Sequence, residues 1–277
     1  MAAAPWWKLF LTVLLFSGMV KLVILGVGEG LSRLRLAERW RVFRRALNPG
    51  QTRREALAAL IVVGVDAVLI ALFRYFQGPR MAPFSLQASL LTFAWLFVGF
   101  EVWFYVSHRL LHTRLLYPLH AQHHVAQVTQ PLTSLSFSIA ERVILLGGNF
   151  GLLVLAMEFM PVTLAGVFGY ILFNYTFNVV GHGNTEWLPT RFVSSWAGRV
   201  FFTPTFHALH HARYQGHYGL YTVLLDRWLG TAFEDYEQVH ARARSGEGLT
   251  RIGERLPAAP GAVTPPALAP SSPGQAA

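Results

Sequence analysis

The sequence predicts an all-α fold, namely a polytopic membrane helical bundle of about four or five spans or hairpins with a cytoplasmic helical cap. Two observations support this class. The chain of 277 residues has a mean hydropathy of +0.39 and only 13% charged residues, whereas typical soluble domains carry about 25%. Its histidines also cluster where long apolar segments end, which predicts a histidine-rich site at one surface of the bundle.

Five apolar segments are candidates for spans, since crossing the hydrocarbon core takes roughly 20 residues. They are approximately 9–27, 56–76, 86–107, 143–160 and 162–180. The last two share a break at Pro161 and are barely long enough to cross, so a re-entrant hairpin is the alternative for this pair. Asp66 lies inside the second segment, where an acid is costly, and we expect it to face the bundle interior in a structural role.

Arginine dominates the charge of the chain. The net charge is +9, and eight arginines lie in the range 33–54 beside a single acid, Glu38. Basic loops next to apolar spans are typical of the cytoplasmic side, where they face anionic lipids. No nucleic-acid-binding motif accompanies the run, so we expect no nucleic-acid partner. With this loop inside, the alternation of spans brings every histidine motif to the cytoplasmic face.

Histidine motifs follow the third segment and recur far downstream. His108 and His112 are four residues apart, so on a helix they share one face with Glu101. Pro118 can begin a further helix whose first turns bring three more histidines to one side. Thr203 and Pro204 favour another helix start just before the last motif. The candidate metal ligands are His108, His112, His120, His123, His124, His182, His207, His210 and His211.

The histidine set predicts a metal site, although a lone pair at this spacing is often structural. Nitrogen-rich ligation suits iron, zinc or copper, and the spacing leaves the metal open. The chain has no cysteine, so histidines and carboxylates must supply the ligands, and thiolate or iron–sulfur chemistry is excluded. Asn174, Asn178 and His182 recur every four residues and form a polar stripe that leads to the end of the fifth segment.

The order of the motifs, HxxxH, HxxHH and HxxHH, resembles that of the fatty acid hydroxylase and sterol desaturase superfamily of membrane di-metal oxygenases. The resemblance covers about 101–231 and includes the elements His182-Gly183-Asn184 and His217-Tyr218-Gly219. The short gap between the first two motifs differs from that of acyl-CoA desaturases. Three positions depart from the usual pattern, because many members have Asn, Trp and His where this chain has His217, Leu225 and Ser138.

This resemblance implies a non-haem di-iron site that uses O2 and external electrons to hydroxylate or desaturate a lipid C–H bond, with zinc as a substitute in purified protein. It implies that the nine histidines are catalytic metal ligands and that His217 could add a tenth. Glu101, Asn178 and Asp226 are candidates for orienting the ligands through hydrogen bonds to the other ring nitrogen. For Asp226 the alternative is a cap or a pair with Arg227.

The chain lacks a dinucleotide fingerprint, a haem-attachment motif and a cysteine cluster, so the electrons must come from a separate protein. A ferredoxin or a cytochrome b5-like carrier is the expectation from the resemblance. Such carriers are often acidic, and a basic cytoplasmic face would attract one. The other predicted partners are the lipid bilayer and a lipid substrate.

The substrate class is open at this point. The spacing from His211 to His217-Tyr218-Gly219 resembles the sterol-acting branch, which favours a sterol-like or other isoprenoid lipid. Fatty-acyl, sphingoid and ether lipids are the alternatives within the superfamily. Outside it, the alternatives are a bis-His haem membrane protein, a membrane zinc hydrolase and a metal transporter. A zinc hydrolase would require an HExxH motif, which the sequence lacks. A metal transporter would require acidic residues deep in the bilayer, and only Asp66 and Glu158 are candidates for such positions.

We expect one membrane-embedded oxygenase domain over residues 1–255. Residues 256–277 are rich in Pro, Ala, Ser and Gly, which predicts a disordered tail. His240 lies outside every motif in a charged segment, and we expect it to tolerate replacement by alanine.

Overall fold

A computed structural model of the chain describes residues 5–257, and this part is all-α, as predicted. Five of its helices are long and apolar enough to cross a membrane, so the protein is an integral, multi-pass membrane protein. These helices are α1 (Trp6–Ser32), α3 (Gln51–Gln77), α4 (Leu86–Leu111), α6 (Ile139–Ala156) and α7 (Leu164–Gly181).

The five predicted segments all become helices, with shifts at their ends. α1, α3 and α4 extend past the apolar residues, because polar side chains at the water boundary continue a helix readily. α6 begins at Ile139, four residues before the predicted segment, because the side chain of Ser138 accepts a hydrogen bond from the Glu141 amide and caps the helix. The last two segments form two helices of 18 residues each.

The histidine-bearing connections gather at one end of the bundle. Asn48 and Gln51, just before and in the first turn of α3, donate hydrogen bonds to the carbonyls of Val125 and Val128 in the segment that follows the second motif. The C-terminal ends of α1, α4 and α7 therefore lie beside the N-terminal ends of α3 and α6. That this end faces the cytoplasm stays a prediction.

Asp66 faces the interior of the bundle, as predicted, and is fully buried. Its carboxylate accepts two hydrogen bonds from Arg142 of α6 and lies 2.8 Å from the ammonium of Lys21 in α1. Three transmembrane helices thus meet at one ion cluster, which neutralises an acid that would be costly in lipid.

A cap of short helices covers the histidine end. These are α2 (Arg35–Arg39), α5 (Tyr117–His124), α8 (Pro204–Arg213), α9 (Leu224–Trp228) and α10 (Tyr236–Ser245), together with a 3-10 turn at Pro131–Leu135. The starts predicted near Pro118 and at Thr203-Pro204 are confirmed. The predicted tail lies almost wholly outside the described residues.

The arginine-rich segment between α1 and α3 is more than an exposed loop, contrary to our expectation. Its arginines are mostly exposed, but Val42 and Phe43 between them are completely buried in the core of the cap. The main chain of Phe43 exchanges hydrogen bonds with the Asn184 side chain, and Leu249 donates to the Val42 carbonyl. The segment therefore ties the cap to the first transmembrane helices.

Replacing Phe43 by alanine should lower the free energy of unfolding by about 3–5 kcal/mol, because it removes a large, completely buried ring and leaves a cavity. Chemical unfolding of detergent-purified protein measures this. The matched control is Leu36→Ala, since the Leu36 side chain is 52% exposed and its loss should change the stability by less than about 0.5 kcal/mol. Equal stability of the Phe43 variant and the wild type would contradict the burial of this segment.

Candidate metal centre

The structure brings all nine candidate histidines together in two groups, and each is at most 6% exposed. Within each group, one ring nitrogen from every residue lies within 4.8 Å of the others. The first group is His108, His112, His120, His124 and His210, and the second group is His123, His182, His207 and His211.

Each of two short helices contributes histidines to both groups. On α5, His120 and His124 point into the first group and His123 points into the second. On α8, His210 belongs to the first group, whereas His207 and His211 belong to the second. Neighbouring positions on a helix are separated by about 100°, so an HxxHH motif divides naturally between two adjacent sites. The remaining ligand candidates come from the ends of α4 and α7.

Main-chain carbonyls fix the protonation of five of the rings. A carbonyl oxygen can only accept, so the Nδ1 atom facing it carries the proton and Nε2 presents a lone pair. These contacts are His108 to Tyr218 (3.0 Å), His123 to Ser136 (3.2 Å), His182 to Asn178 (2.7 Å), His210 to Gly216 (2.7 Å) and His211 to Ala126 (3.0 Å).

The lone pairs of these rings point at one another. The Nε2 atom of His182 lies 3.3 Å from that of His123 and 3.2 Å from that of His211, with no proton available for a hydrogen bond. Two imidazoles bound to one tetrahedral ion would have their nitrogens about 3.4 Å apart. The spacing and the unprotonated nitrogens therefore fit a metal ion in the second group.

The first group fits a metal ion by the same criteria. His108 Nε2 lies 3.1 Å from His120 Nε2, and the Nδ1 atoms of both rings face acceptors. Both ring nitrogens of His112 are buried without a hydrogen-bond partner. An unpartnered buried imidazole is unfavourable unless a cation or water satisfies it. The donor set is purely nitrogen, which suits iron or zinc.

Glu141, which no sequence motif identified, contacts one of the candidate ligands. Its Oε1 atom lies 2.7 Å from Nδ1 of His120, and both side chains are only 2% exposed. Such a carboxylate fixes the ring orientation and raises the basicity of the ligating nitrogen. Glu141 lies three residues after Ser138, which caps α6 and donates to the Leu119 carbonyl, so this serine fixes α6 against α5. An acid in the first turn of a helix is common, so nothing in the sequence singled it out.

Glu101 and Asp226 do not contact a histidine, contrary to the prediction. Glu101 accepts hydrogen bonds from the amides of Tyr221 and Thr222, and Asp226 accepts from the amides of Tyr218 and Gly219. Both carboxylates therefore hold the loop whose Tyr218 carbonyl fixes His108. Gly219 is required there, since a Cβ atom would lie 2.4 Å from the Thr222 carbonyl oxygen. Glu101 and Asp226 therefore act on the histidines only through this loop.

Asn178 orients His182 through its main-chain carbonyl, whereas its side-chain oxygen has no hydrogen-bond partner. The predicted hydrogen bond to the other ring nitrogen is therefore present, and the main chain of Asn178 makes it. The alternative pairing of Asp226 with Arg227 is wrong, because the Arg227 guanidinium lies 3.8 Å from Glu237 and Asp226 faces the loop.

His217 lies outside both groups. Its Nδ1 atom donates to the Phe206 carbonyl at 2.9 Å, and its Nε2 atom accepts from the Phe233 amide at 2.9 Å. The ring is also stacked on Phe206, with the ring centres 3.6 Å apart. Because both of its ring nitrogens are hydrogen bonded within the cap, His217 stabilises the cap and cannot add a metal ligand in this structure.

His240 also differs from expectation, since it is completely buried in the cap. Its Nε2 atom lies 3.5 Å from Glu186, which accepts two hydrogen bonds from Thr205 in the first turn of α8. Replacement by alanine would leave a cavity, so the tolerance inferred from its charged neighbours no longer follows.

Burial keeps these imidazoles neutral. It lowers the pKa of His182 to about 4 and that of His217 to about 3, from an ordinary value of 6.5. Desolvation, reinforced by neighbouring histidines, places the pKa values of His123, His210 and His211 well below that range. Metal ions bind the unprotonated imidazole, so the rings are ready for a metal at neutral pH.

The fold and the site define a class of protein: a multi-pass membrane protein with two adjacent histidine groups that are fitted for metal ions. Residues 93–231, half of the chain, match the fatty acid hydroxylase family. The chain belongs to this family. Membership indicates an oxidoreductase.

Curated relatives cover part of the chain. They include very-long-chain aldehyde decarbonylase GL1-4 of Oryza sativa subsp. indica, which is 30% identical over 155 residues, 53% of this chain and 24% of that protein. Protein CER1-like 1 of Arabidopsis thaliana is 30% identical over 174 residues, 59% of this chain and 27% of that protein. The chain thus spans about a quarter of the length of these relatives. No solved structure matches the chain significantly.

The metal-free protein should lose stability as the pH falls from about 6.5 to about 4. The buried histidines stay neutral when folded but take up protons when unfolded, so below pH 6.5 the unfolded form binds more protons and is favoured. Thermal unfolding of chelator-treated protein at a series of pH values measures this. Between about pH 7 and 8 the midpoint should change little, because these histidines do not titrate there. A midpoint that is constant down to pH 4 would contradict the burial of neutral imidazoles.

Proposed function

We propose that the chain is a membrane non-haem di-iron oxygenase that uses O2 and external electrons to hydroxylate or desaturate a lipid C–H bond. One observation carries this proposal: nine buried imidazoles in two adjacent groups present lone pairs to one another. Family membership supports the same chemistry. Zinc fits the same nitrogens and is the expected substitute in purified protein.

In this proposal each histidine group would hold one ion, through Nε2 in the rings whose Nδ1 is hydrogen bonded. Iron, when bound, supplies the redox chemistry with O2 that no side chain of this protein can perform. The imidazoles are fixed because Nδ1 donates a hydrogen bond, to a main-chain carbonyl in five rings and to Glu141 in His120. Because neutral imidazoles add no negative charge, they leave the full charge of each ion in place.

The structure also excludes water from this region. All nine rings are nearly inaccessible, and the cap core of Phe206, Leu209 and Val239 covers the side opposite the membrane bundle. Exclusion of bulk water strengthens electrostatic interactions inside the site and limits side reactions. The position of the site at the ends of α4 and α7 would bring it near the level of lipid headgroups.

Other metal functions fit this arrangement less well. A bis-His haem needs one histidine on each side of a flat macrocycle, whereas here Nε2 atoms from several rings converge within about 3 Å of each other. A transporter needs a polar path across the bilayer. Of the two acids that we expected to lie deep, Asp66 is closed off by Arg142 and Lys21, whereas Glu158 is exposed and pairs with Arg80 at the opposite end of the bundle.

For the substrate we propose a lipid with a long aliphatic chain. The curated relatives are named as very-long-chain aldehyde decarbonylases, which supports this class. The sterol-like or isoprenoid alternative rested on the His217-Tyr218-Gly219 element, in which His217 braces the cap and Tyr218 fixes His108. We therefore place it second. For the electron donor we propose a separate acidic carrier of the ferredoxin or cytochrome b5 type, attracted by the exposed arginines of the segment 33–54.

Replacing His210 by alanine should remove the ion of the first group, and replacing His211 should remove the ion of the second, because each loses a ligand. Both variants should be inactive. Elemental analysis of purified protein gives the ion content per chain. The matched control is His217→Asn, which removes an equally buried imidazole at a residue with a φ of 57°, where asparagine is tolerated, and should retain both ions. A full complement of metal in the His210 and His211 variants would refute the ligand assignment.

Expression of the chain in a lipid-producing host should yield new lipid species that differ from their precursors by one added oxygen or by two fewer hydrogens. Mass spectrometry of lipid extracts detects both. Extracts from cells that express the His210→Ala variant provide the control. If the two extracts are identical while the wild-type protein contains iron, the proposed reaction is wrong for the lipids present, and sterol-supplemented cells test the second substrate class.

A further inference from the structure

An ion cluster inside the bundle includes Arg142, the residue that follows Glu141 in α6. Asp66 of α3 is completely buried and accepts two hydrogen bonds from Arg142, at 2.6 and 2.7 Å. The Lys21 ammonium lies 2.8 Å from the same carboxylate. Nothing in the proposed chemistry requires these charges at this place, and buried charges are costly unless they are well paired.

Arg142 is the direct neighbour of Glu141, which fixes His120. Consecutive residues on a helix diverge by about 100°, so Glu141 points towards His120 while Arg142 points towards α3. Only one carboxylate oxygen of Glu141 is used. The other, Oε2, is buried and has no hydrogen-bond partner.

The Arg142 guanidinium contacts Asp66, and Glu141 is the acid next to Arg142 in the helix. An arginine guanidinium forms its strongest pairs when two N–H groups contact one carboxylate, and Asp66 already provides such a partner. Without the charge of Asp66, Arg142 would be a buried cation with a single acid next to it in the helix, Glu141. A pair between Arg142 and Glu141 would compete with the hydrogen bond to His120.

We propose that Asp66 is a positioning residue for the first histidine group: by holding Arg142 on α3, it leaves Glu141 free to fix His120. The inference rests on the proposed binding of metal by the histidines. Lys21 is the second cation at the Asp66 carboxylate, 2.8 Å from it. Its place in the cluster is to stabilise the ionised form of Asp66 and to join α1 to α3.

The effect on the iron sites separates this mechanism from a merely structural ion pair. Loss of Asp66 releases Arg142 towards Glu141 and should disturb the histidine. Loss of Arg142 removes the competing cation, while Asp66 keeps Lys21 as its counterion. A structural ion pair would change the stability, more so for the loss of Asp66 because two cations are then unmatched, but it would not selectively weaken one iron site.

The experiment uses the full chain, purified in detergent, stripped with a chelator and titrated with Fe²⁺ under argon. Bound iron per chain and the dissociation constant of each site are measured, together with the thermal unfolding midpoint. The variants are Asp66→Asn, Arg142→Gln, the double variant Asp66→Asn with Arg142→Gln, and Glu141→Gln. Arg80→Gln is the matched control, since it breaks the exposed ion pair with Glu158 at the other end of the bundle.

Asp66→Asn should weaken one of the two iron sites about tenfold, the lower end of the range for residues that orient a ligand, and leave the other site unchanged. Glu141→Gln should weaken the same site. Arg142→Gln and Arg80→Gln should retain both sites, and the double variant should recover the affinity lost with Asp66 alone. If Asp66→Asn does not fold, a loss of affinity at one site in Arg142→Gln or in the double variant still overturns the inference.

Three results would overturn the inference: wild-type affinity at both sites in Asp66→Asn, an equal loss of affinity in Arg142→Gln, or no recovery in the double variant. Each of these leaves the proposed function standing, because the wild-type protein still binds two ions. Conversely, a wild-type chain that binds no iron would refute the proposed function, whatever the variants do.

Discussion

The structure depends on one constraint, the burial of nine neutral imidazoles whose lone pairs converge on two points. Such an arrangement is unfavourable in the absence of a cation, since the facing nitrogens can neither share a proton nor reach water. It persists because the Nδ1 atom on the other side of most rings is hydrogen bonded. For five of the rings the backbone must therefore present a carbonyl in the right place, and this requirement contributes to the irregular shape of the cap.

The segment between α8 and α9 shows how that requirement is met. Tyr214 and His217 adopt positive φ angles of 63° and 57°, which are rare for residues other than glycine, and Gly216 has a φ of 133°. This unusual path places the carbonyl of Gly216 against His210 and that of Tyr218 against His108. The buried carboxylates of Glu101 and Asp226 hold the loop in this conformation through its amides. Backbone strain is thus balanced by charge-assisted hydrogen bonds beside the site.

The membrane-spanning helices also supply residues of the candidate metal centre. α4 and α7 end in histidines, and α6 begins with the acid that fixes His120, so three transmembrane helices each deliver a polar group at one end. Helices are rigid over this length, which keeps the groups in place without further support. Charged residues deeper in the bundle, Asp66 and Arg142, connect this end of the protein to α1, whose other residues are largely exposed.

The sequence by itself determined the class of fold, the approximate spans and the identity of the nine histidines. A run of apolar residues shows which segments are long enough to cross a bilayer, and a spacing of three or four residues shows which side chains share a helical face. Both properties depend only on residues that are close together in the chain. The division of the histidines into groups of five and four was decided by tertiary structure, because it depends on how α5 and α8 cross. The same holds for Glu141, for the indirect role of Glu101 and for the burial of Phe43, since each involves partners about 20 to more than 140 residues away in the chain.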